Sequence, residues 1–444
     1  MRWLLKGGEV LDPGAGLTGR LDVLIEDDRI LDIGSDLRPS DDTGVEDVSG
    51  CLVMPGAIDM HVHLRQPGQD DKETIRTGGR SAVQGGVTAV ACMPNTSPPV
   101  DNEATVAFVL RKAREASPAE VFPIACVTIG QKGTQLSEMW TLRQAGVVGF
   151  SDDGKPVASA EIMRRALEYS RMLGCAVMDH CEEPTMTQGA CMNEGYTSTV
   201  LGLRGMPSVA EEIMVARDCM LAEMTGGHAH ICHVSTARSV DLVRQAKARG
   251  AMVTAEVTIH HLLLNDDLIR SFDTHCKVNP PLRTDADLEA CLAGLVDGTI
   301  DCLVSDHAPH TREDKEVEFD HAPFGISGVQ TLVPLTFSEL VRKGHLSAPA
   351  AVQALTASPA RILALPDGYG SLRKGSVANV TVLDLKRPLV VDMNGYETKG
   401  KNAPYQGMAL MGSSTLTVVR GRVVARDGVV IEPWTPIALE TTRR

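Results

Sequence analysis

The sequence predicts a TIM (β/α)8 barrel with a small β-sandwich domain built from both termini. Three observations support this prediction: both ends have β-like patterns, the middle alternates short apolar strands with amphipathic helical stretches, and the middle contains eight candidate strands. A doubly wound sheet is the alternative fold for a chain in which strands and helices alternate. Eight units over about 300 residues, with polar residues at the strand ends, favour the barrel.

The two ends of the chain share one pattern. Residues 1–54 contain WLLKGGEVLD, DVLIEDDRILDIG and CLVMP, which are short apolar or alternating runs interrupted by Gly, Asp and Pro. Residues 366–444 contain ANVTVLDL and TLTVVRGRVVARDGVVI, so we expect the two ends to pair in one sandwich. Residues 55–365 should form the catalytic barrel. Its eight candidate strands are 57–64, 87–93, 121–127, 146–150, 175–180, 229–234, 251–257 and 301–306.

The amino-acid composition indicates which binding partners and which cellular compartment to expect. The formal net charge of −14 over 444 residues argues against a nucleic-acid partner, because no basic stripe is present to neutralise phosphates. Eleven cysteines occur without CxxC pairs, which favours a reducing cytoplasm. The N-terminus lacks a signal-peptide pattern, and no stretch approaches the roughly 20 apolar residues of a membrane span. We expect a cytoplasmic protein without a membrane segment.

Polar side chains stand at the predicted carboxyl ends of several barrel strands. His61 and His63 end the first strand, where positions i and i+2 share a face. The later strand ends carry, in chain order, Asp152, Asp153, His180, His233 and Asp306. Because catalytic residues of TIM barrels gather at this rim, we expect these side chains to form one cluster.

Each of these residues also has an ordinary structural explanation, such as a hydrogen-bonded core histidine or a helix-capping aspartate. Their joint placement favours a metal site, because buried imidazole and carboxylate groups are costly unless they are paired or bind a metal. Such ligands suit Zn²⁺ best, with Mn²⁺, Co²⁺ and Fe²⁺ as alternatives. Six ligands exceed the need of one tetrahedral ion, so we expect two ions about 3.5–4 Å apart with a bridging hydroxide.

Eight motifs occur in order along the barrel: HVHLRQPG (61–68), GGVTAVACMPNT (85–96), FSDDGKPV (150–157), MDHCEE (178–183), ICHVST (231–236), VNPPLR (278–283), SDHAPHT (305–311) and PFGISG (323–328). This set resembles the amidohydrolase superfamily and, more narrowly, the class I dihydroorotases, which are related to the dihydroorotase domain of the animal pyrimidine-synthesis polypeptide. The segment GSLRKGSVANVTVLD resembles the β-sandwich return of the superfamily. The resemblance therefore covers both predicted domains.

The resemblance implies a role for each matching position. One zinc ion would be bound by His61, His63 and Asp306, and the other by His180 and His233. Asp153 and a hydroxide would bridge the two ions. The substrate-binding set would be His63, Arg65, Asn95, Asn279 and His310, with backbone groups of Phe324 and Gly325 near the pyrimidine ring.

The implied reaction is the reversible, zinc-dependent cyclisation of N-carbamoyl-L-aspartate to L-dihydroorotate in de novo pyrimidine (UMP) biosynthesis. The bridging hydroxide would attack the ring amide carbonyl, and one zinc ion would polarise that carbonyl. Asp306 would act as general base and then as general acid. An arginine beside an asparagine can hold the substrate carboxylate with directed hydrogen bonds.

The residue at the end of the fourth barrel strand differs between subfamilies of the amidohydrolase superfamily. Many superfamily members bridge their metals with a carboxylated lysine, whereas this sequence has Asp153 at that position. The aspartate form resembles bacterial class I dihydroorotases and departs from hydantoinases, dihydropyrimidinases and allantoinases. Lys155 as a carboxylated bridge is the alternative. Asp152 would face away or support a neighbouring ligand.

Two other functions stay open beside an active dihydroorotase. The first is another cyclic amidase, acting on hydantoin or allantoin. The second is a non-catalytic scaffold for aspartate transcarbamoylase, which the complete ligand set disfavours. A small-molecule substrate and a homodimer are expected, and a complex with aspartate transcarbamoylase remains open for an active enzyme too.

Two local features also allow predictions. The charged stretch 311–322 directly follows His310 and is either a mobile lid or an ordinary solvated loop. Cys181 and Cys232 each adjoin a ligand histidine. Because neighbouring positions on a strand point to opposite faces, both cysteines should pack behind the barrel wall.

Overall fold

The computed structural model describes residues 2–432, so residues 433–444 of the predicted C-terminal sandwich segment lie outside the described residues. The N-terminal segment forms five strands: β1 (Arg2–Asp12), β2 (Leu17–Glu26), β3 (Arg29–Gly34), β4 (Gly44–Asp47) and β5 (Leu52–Pro55). Each strand ends near a Gly, Asp or Pro, the residues that favour turns.

Ten strands follow in the middle of the chain. Those of the barrel are β6 (Ala57–Val62), β7 (Val87–Cys92), β8 (Glu120–Ala125), β9 (Gly149–Phe150), β10 (Ala176–Asp179), β13 (Ala229–Ile231), β14 (Val253–Thr258) and β15 (Cys302–Val304). A separate two-stranded pair, β11 (Met192–Asn193) and β12 (Gly205–Met206), lies in the connection after β10. The eight barrel strands overlap all eight predicted strands and run parallel, in chain order.

The C-terminal segment returns to the first sheet. Its strands are β16 (Val380–Val390), β17 (Ala409–Val419), β18 (Arg422–Arg426) and β19 (Val429–Val430). The strand order is β19-β18-β17-β16-β5-β1-β2-β3, with β4 paired to β1. β16 pairs with β5 in antiparallel register, so the two ends of the chain meet in one nine-stranded sheet.

Helices connect the barrel strands and follow the last of them. They are α1 (Ile75–Gln84), α2 (Glu103–Ala116), α3 (Met139–Gln144), α4 (Ala160–Leu173), α5 (Pro184–Thr187), α6 (Tyr196–Leu201), α7 (Val209–Thr225), α8 (Ala237–Ala248), α9 (Ile259–Leu263), α10 (Asp285–Asp297), α11 (Arg312–Lys315), α12 (Leu332–Leu335), α13 (Ala348–Leu355) and α14 (Ala357–Ile362). A π-helical turn, Thr336–Val341, follows α12. Among residues 2–432, no helix has the length and apolarity needed to cross a membrane.

The barrel closes between its first strand and the segment after its last strand. A parallel bridge joins Val62 to His307, and the backbone NH of His63 donates to the carbonyl of His307 at 2.8 Å. Side chains alternate between two apolar clusters, as a pleated strand requires. In β7, Ala89 and Ala91 belong to the inner cluster, while Val90 and Cys92 belong to the outer one; Ile58 and Met60 of β6 also belong to the inner cluster.

These features confirm the predicted fold of a TIM barrel with a sandwich built from the termini. The domain boundaries at 54/55 and 365/366 stay predictions.

Candidate metal centre and active site

The first two histidines reach the barrel axis because of an irregularity in β6. The register between β6 and β7 shifts between Asp59 and Val62. Met60 lies in the inner apolar cluster, and after the shift His61 and His63 also face inward, towards Asp153 and Asp306. Both imidazoles are buried.

His61, His63 and Asp306 form one group of potential ligands, with donor atoms within 4.8 Å of one another. Asp306 Oδ1 lies 3.0 Å from His63 Nε2 and 3.5 Å from His61 Nε2. The group therefore presents two imidazole nitrogens and a carboxylate oxygen to a common point.

Asp153, His180 and His233 form a second group, again within 4.8 Å. Asp153 Oδ1 lies 3.3 Å from His233 Nε2 and 3.7 Å from His180 Nδ1. Asp153 Oδ2 faces the first group instead, at 3.5 Å from His61 Nε2 and 3.4 Å from His63 Nε2. One oxygen of Asp153 thus serves each group, which is the arrangement a bridging carboxylate needs.

An unpaired buried atom indicates that the cluster fits metal ions. His61 Nε2 is inaccessible to solvent and has no hydrogen-bond partner among the described residues. A buried polar atom without a partner is unfavourable unless another group completes it. Nitrogen and carboxylate donors of this kind match the preferences of Zn²⁺ and related divalent ions. The six residues therefore fit a pair of such ions.

Three outer side chains fix which nitrogen each histidine presents to the centre. Glu256 Oε1 lies 2.5 Å from His61 Nδ1, and Asn95 Oδ1 lies 2.9 Å from His63 Nδ1. These contacts leave the Nε2 atoms facing the cluster. His180 is held the other way round, because Glu182 Oε2 lies 2.8 Å from its Nε2 and its Nδ1 faces Asp153. Carboxylate and amide partners of this kind orient ligand imidazoles and raise their basicity.

Charge keeps the carboxylates of the cluster ionised. Burial alone would raise the pKa of Asp153, but the charges of His61 and His63 and a hydrogen bond from His233 hold that pKa well below its ordinary value. The pKa of Asp306 is lowered in the same way, since His61 and His63 outweigh its burial. Both aspartates are therefore available as anionic ligands, and Asp306 is also available as a proton acceptor.

Three residues of the site have a backbone conformation that side chains other than glycine rarely adopt. The φ angles of Arg65, His233 and Asp306 are 59°, 34° and 45°. Non-glycine residues in this region cost of the order of 1–3 kcal/mol each and gather at functional sites. Here the unusual φ turns each side chain into the site just beyond the end of its strand.

The side chains predicted to hold the substrate carboxylate lie beside the metal cluster. Arg65 is buried, its Nε donates to the carbonyl of Pro309 at 3.2 Å, and its guanidinium lies 3.4 Å from His310 Nε2. Burial and the charges of Arg65, Lys315 and Lys72 lower the pKa of His310 to about 3. His310 is therefore neutral at pH 7 and can donate a hydrogen bond without carrying charge.

The remaining predicted substrate contacts complete the rim. Asn279 Nδ2 donates to Glu182 at 2.7 Å and lies 3.4 Å from His180 Nε2. The carbonyl of Phe324 lies 2.8 Å from His310 Nε2. Gly325 has a φ of 143°, and a Cβ there would lie 2.6 Å from the carbonyl of Ala308. Only glycine fits this close approach. Every predicted site residue therefore lies at one end of the barrel, although the substrate roles stay predictions.

The neighbours of Asp153 have different environments. Asp152 is buried and accepts hydrogen bonds from the backbone NH and the hydroxyl of Thr128, so it ties two loops together and supports no ligand directly. Gly154 makes a turn directly after Asp153, with a φ of 78°. Lys155 is exposed, and its backbone NH donates to the carbonyl of Asp152 at 2.9 Å.

The prediction for Cys232 is wrong, whereas Cys181 lies outside the barrel as expected. Cys181 Sγ contacts Asp218 of α7 at 3.6 Å. Cys232 lies in the inner cluster, and its sulfur is within 4.8 Å of donor atoms of His61 and Asp153. The alternation rule fails because β13 ends at Ile231 and the left-handed φ of His233 brings that residue inward after Cys232.

The charged stretch 311–322 is anchored by two buried lysines. Lys315 Nζ donates to the carbonyls of Thr274 at 3.0 Å and Pro323 at 2.7 Å. Lys277 Nζ donates to the carbonyl of Phe319 at 2.8 Å. The segment therefore lies closed against the 274–277 turn, beside His310. Its mobility stays a prediction.

Sequence reasoning missed two acids of the site, the buried Glu256 and the half-buried Glu182. Glu256 is the one acid within the apolar run VTAEVT, at a position of β14 that faces inward. Glu182 lies two residues after His180, at the end of MDHCEE. The presence of Glu256 within a buried strand could have indicated a functional residue. Its partner His61, however, lies 195 residues away in the sequence.

Comparison with known proteins is consistent with this geometry. The profile described as "Dihydro-orotase-like" matches residues 50–239. A dihydroorotase of Pelotomaculum thermopropionicum is 50% identical over 97% of this chain and 100% of its own length. A dihydroorotase of Acetivibrio thermocellus is 47% identical over 96% of this chain and 100% of its own length. The solved L-hydantoinase (dihydropyrimidinase) of Arthrobacter aurescens superposes with a TM-score of 0.88 at 25% identity, covering 97% of each chain.

A (β/α)8 barrel with these histidines and aspartates at its rim defines the class of cyclic amide hydrolases. Within that class, the chain belongs to the dihydroorotase family.

Proposed function

We propose that the protein interconverts N-carbamoyl-L-aspartate and L-dihydroorotate in de novo pyrimidine (UMP) biosynthesis. The observation that carries this proposal is the position of Asp153, whose two oxygens face the two ligand groups. Nearly full-length relatives named dihydroorotase support the same reaction. The hydantoinase likeness supports the fold and the reaction class.

The cofactor that we propose is a pair of zinc ions per subunit. His61, His63 and Asp306 would hold one ion, His180 and His233 the other, and Asp153 would contact both. Bound zinc would supply the electrophilic activation that amide cleavage requires at neutral pH. Glu256, Asn95 and Glu182 would keep the correct imidazole nitrogen of each ligand free for binding.

Asp306 would move the proton. In the hydrolytic direction it takes a proton from the attacking water and delivers it to the ring nitrogen as the C–N amide bond breaks. The charge of His61 lowers the pKa of Asp306, and bound zinc would take over this role and keep the carboxylate ionised at the start of the cycle. In the cyclising direction the same carboxylate accepts the proton of the carbamoyl nitrogen and returns it to the departing oxygen.

The carboxylate of the substrate would be held by Arg65, with Asn95, Asn279 and His310 as further contacts. Arg65 keeps its charge although burial lowers its pKa to about 10. A guanidinium can bind a carboxylate through two parallel hydrogen bonds, which fixes the ring relative to the cluster. The backbone at Phe324 and Gly325 would contact the pyrimidine ring, with His63 beside the reacting carbonyl.

Metal content and turnover of three proteins test the proposal: the unmodified chain, Asp153→Ala and Lys155→Ala. We expect the unmodified chain and Lys155→Ala to hold two zinc ions and to hydrolyse dihydroorotate. Asp153→Ala should lose one ion and most activity. Loss of the second ion from Lys155→Ala alone would overturn the bridge assignment. Turnover of hydantoin without turnover of dihydroorotate would overturn the proposed substrate.

A further inference from the structure

Asn402 is a buried residue that reaches the substrate end of the barrel from the sandwich sheet. It lies in the connection between β16 and β17, and only 2% of its surface is accessible. It ends a short segment, residues 398–402, that packs on the loops of the barrel rim; we call this segment the strap. The predicted substrate contacts do not include Asn402, and its role follows from what its side chain binds.

The side-chain amide of Asn402 uses its full hydrogen-bonding capacity. Its Nδ2 donates to the backbone carbonyl of Ala308 at 3.1 Å and to that of Gly325 at 2.9 Å. Its Oδ1 accepts from the backbone NH of His310 and from the hydroxyl of Ser327, both at 2.9 Å. An asparagine side chain has two donor hydrogens and two acceptor positions. Because a carbonyl only accepts and a backbone NH only donates, these partners fix the orientation of the amide.

The partners of Asn402 lie in two loops, residues 308–310 and 324–327. The first loop ends with His310 and the second begins with Phe324, both of them predicted substrate contacts. The loops also meet where the carbonyl of Phe324 lies 2.8 Å from His310 Nε2. Because Asn402 binds the backbone of both loops through one rigid amide, it fixes how far apart they lie.

Gly400 brings the strap into direct contact with the first of these loops. A Cβ at Gly400 would lie 2.5 Å from the Cβ of Pro309 and 2.8 Å from the backbone nitrogen of His310. Both distances are shorter than a normal contact, so this approach of two backbone segments requires glycine. The strap is therefore held against the loop by close packing as well as by the amide of Asn402.

The other end of the strap is bound to the connection between β6 and α1. Thr398 donates its hydroxyl to the carboxylate of Glu73, and the backbone NH of Lys399 donates to the same carboxylate at 3.3 Å. Glu73 also lies 3.3 Å from Nε2 of His307, the residue that directly precedes the first loop. The strap is thus fixed at both ends, as a support for a binding site must be.

We propose that Asn402 is a positioning residue of the substrate site. Its amide holds residues 308–310 and 324–327 at the separation at which His310 and the backbone at Phe324 bind dihydroorotate together. The proposal rests on the proposed function and adds to it a residue of the sandwich connection, 92 positions beyond His310 in the sequence. Asn402 acts through the two loops, so it determines substrate affinity, whereas the metal ligands and the proton transfer do not depend on it.

Steady-state kinetics and metal analysis of Asn402→Ala test this role. KM for dihydroorotate should rise about tenfold or more, while kcat changes less than about threefold and the zinc content stays the same. Ser327→Ala is the matched control, because it removes one bond to the same Oδ1 and leaves His310 and Gly325 bound to the amide. Asn402→Asp keeps the volume and the acceptor oxygen but can donate to at most one of the two carbonyls. It should therefore raise KM as well, even if Asn402→Ala does not fold.

Hydrogen exchange in the absence of substrate gives a second readout that does not depend on turnover. In Asn402→Ala the backbone NH of His310 loses its acceptor, so its exchange should become about tenfold faster or more. In Ser327→Ala the exchange of the same NH should stay as in the unmodified protein.

A purely structural role of Asn402 predicts a different pattern, in which the variants lose active enzyme, and therefore kcat, at unchanged KM. That pattern, a rise in KM that is equal in Ser327→Ala, or unchanged exchange of the His310 NH in Asn402→Ala would overturn the inference. An unmodified protein that does not turn over dihydroorotate would overturn the proposed function instead. The exchange of the His310 NH would then still decide whether Asn402 fixes the loop.

Discussion

Glu256 Oε1 lies 2.5 Å from His61 Nδ1 inside the barrel, across 195 residues of sequence. The second oxygen of Glu256 lies 3.1 Å from His230 Nε2, and His230 Nδ1 lies 2.8 Å from the hydroxyl of Thr254. His61 and His230 outweigh burial and lower the pKa of Glu256 to about 2. An ionised, buried carboxylate therefore fixes His61 from behind.

Replacing Glu256 with glutamine should weaken metal binding. The amide keeps the shape but has one acceptor oxygen, so either His61 or His230 loses its partner. We expect zinc affinity to fall about 10–100-fold, as for other partners of ligand histidines. Competition with a chromogenic chelator measures this. Thr254→Val is the control, because it leaves the contact between Glu256 and His61 in place. Equal affinities of Glu256→Gln and the unmodified protein would contradict the assignment.

Glu182 connects the candidate metal ligand His180 to Asn279, a predicted substrate contact. Its Oε2 accepts from His180 Nε2 and from Asn279 Nδ2, while Thr187 donates to its other oxygen. We expect Glu182→Gln to lower kcat and to raise KM for dihydroorotate, by about tenfold or more in kcat/KM. Steady-state kinetics at saturating zinc separates the two effects. Thr187→Val should have a smaller effect, and a larger effect of Thr187→Val would show that Glu182 acts only by supporting the loop.

The fold and the clustering of the candidate ligands were predictable because they depend on local periodicity. Short apolar strands of the barrel end on histidine or aspartate, and strand alternation places His61 and His63 on one face. The same alternation led to the wrong position for Cys232. The strand β13 ends earlier than its apolar pattern suggests, and the left-handed backbone of His233 reverses the direction of its side chain.

The supporting acids were not predictable in the same way. Glu256 and its partner His61 are brought together only by closure of the barrel, and one sequence contains no sign of that pairing. Glu182 has the composition of an ordinary loop acid, and its contacts to His180 and Asn279 come from two different loops. Long-range pairing of polar side chains depends on the tertiary structure.

Arg65 should be required for substrate affinity but not for metal binding. Arg65→Lys retains the charge and loses the planar pair of donors that fits a carboxylate. A charge-assisted hydrogen bond contributes about 1.5–3 kcal/mol, so we expect KM to rise roughly 10–150-fold at unchanged zinc content. Kinetics together with metal analysis checks both parts. Arg312→Lys, at an exposed position of α11, is the control and should behave like the unmodified enzyme. Loss of zinc from Arg65→Lys would contradict a role confined to the substrate.

Lys315 should make the stability of the protein depend on pH above neutrality. Burial and the charge of Lys277 lower the pKa of Lys315 to about 7, although the nearby Asp273, Cys276 and Asp314 oppose this shift. In the unfolded chain that pKa is about 10.4. Between these values the unfolded chain binds the extra proton, so the contribution of Lys315 to the free energy of unfolding rises with pH. The slope is at most about 1.4 kcal/mol per pH unit.

Urea unfolding of the unmodified protein and of Lys315→Met, at several pH values from 6 to about 10, checks this. The difference in unfolding free energy, unmodified minus variant, should be constant below pH 7 and should increase towards pH 10. Lys343→Met is the control, because Lys343 is exposed and its difference should stay nearly flat. A difference for Lys315→Met that is equally flat would mean that the buried ammonium keeps its proton through the whole range. The anchoring of residues 311–322 would then be independent of pH, because Lys315 would remain bonded to the carbonyls of Thr274 and Pro323 as an ammonium ion.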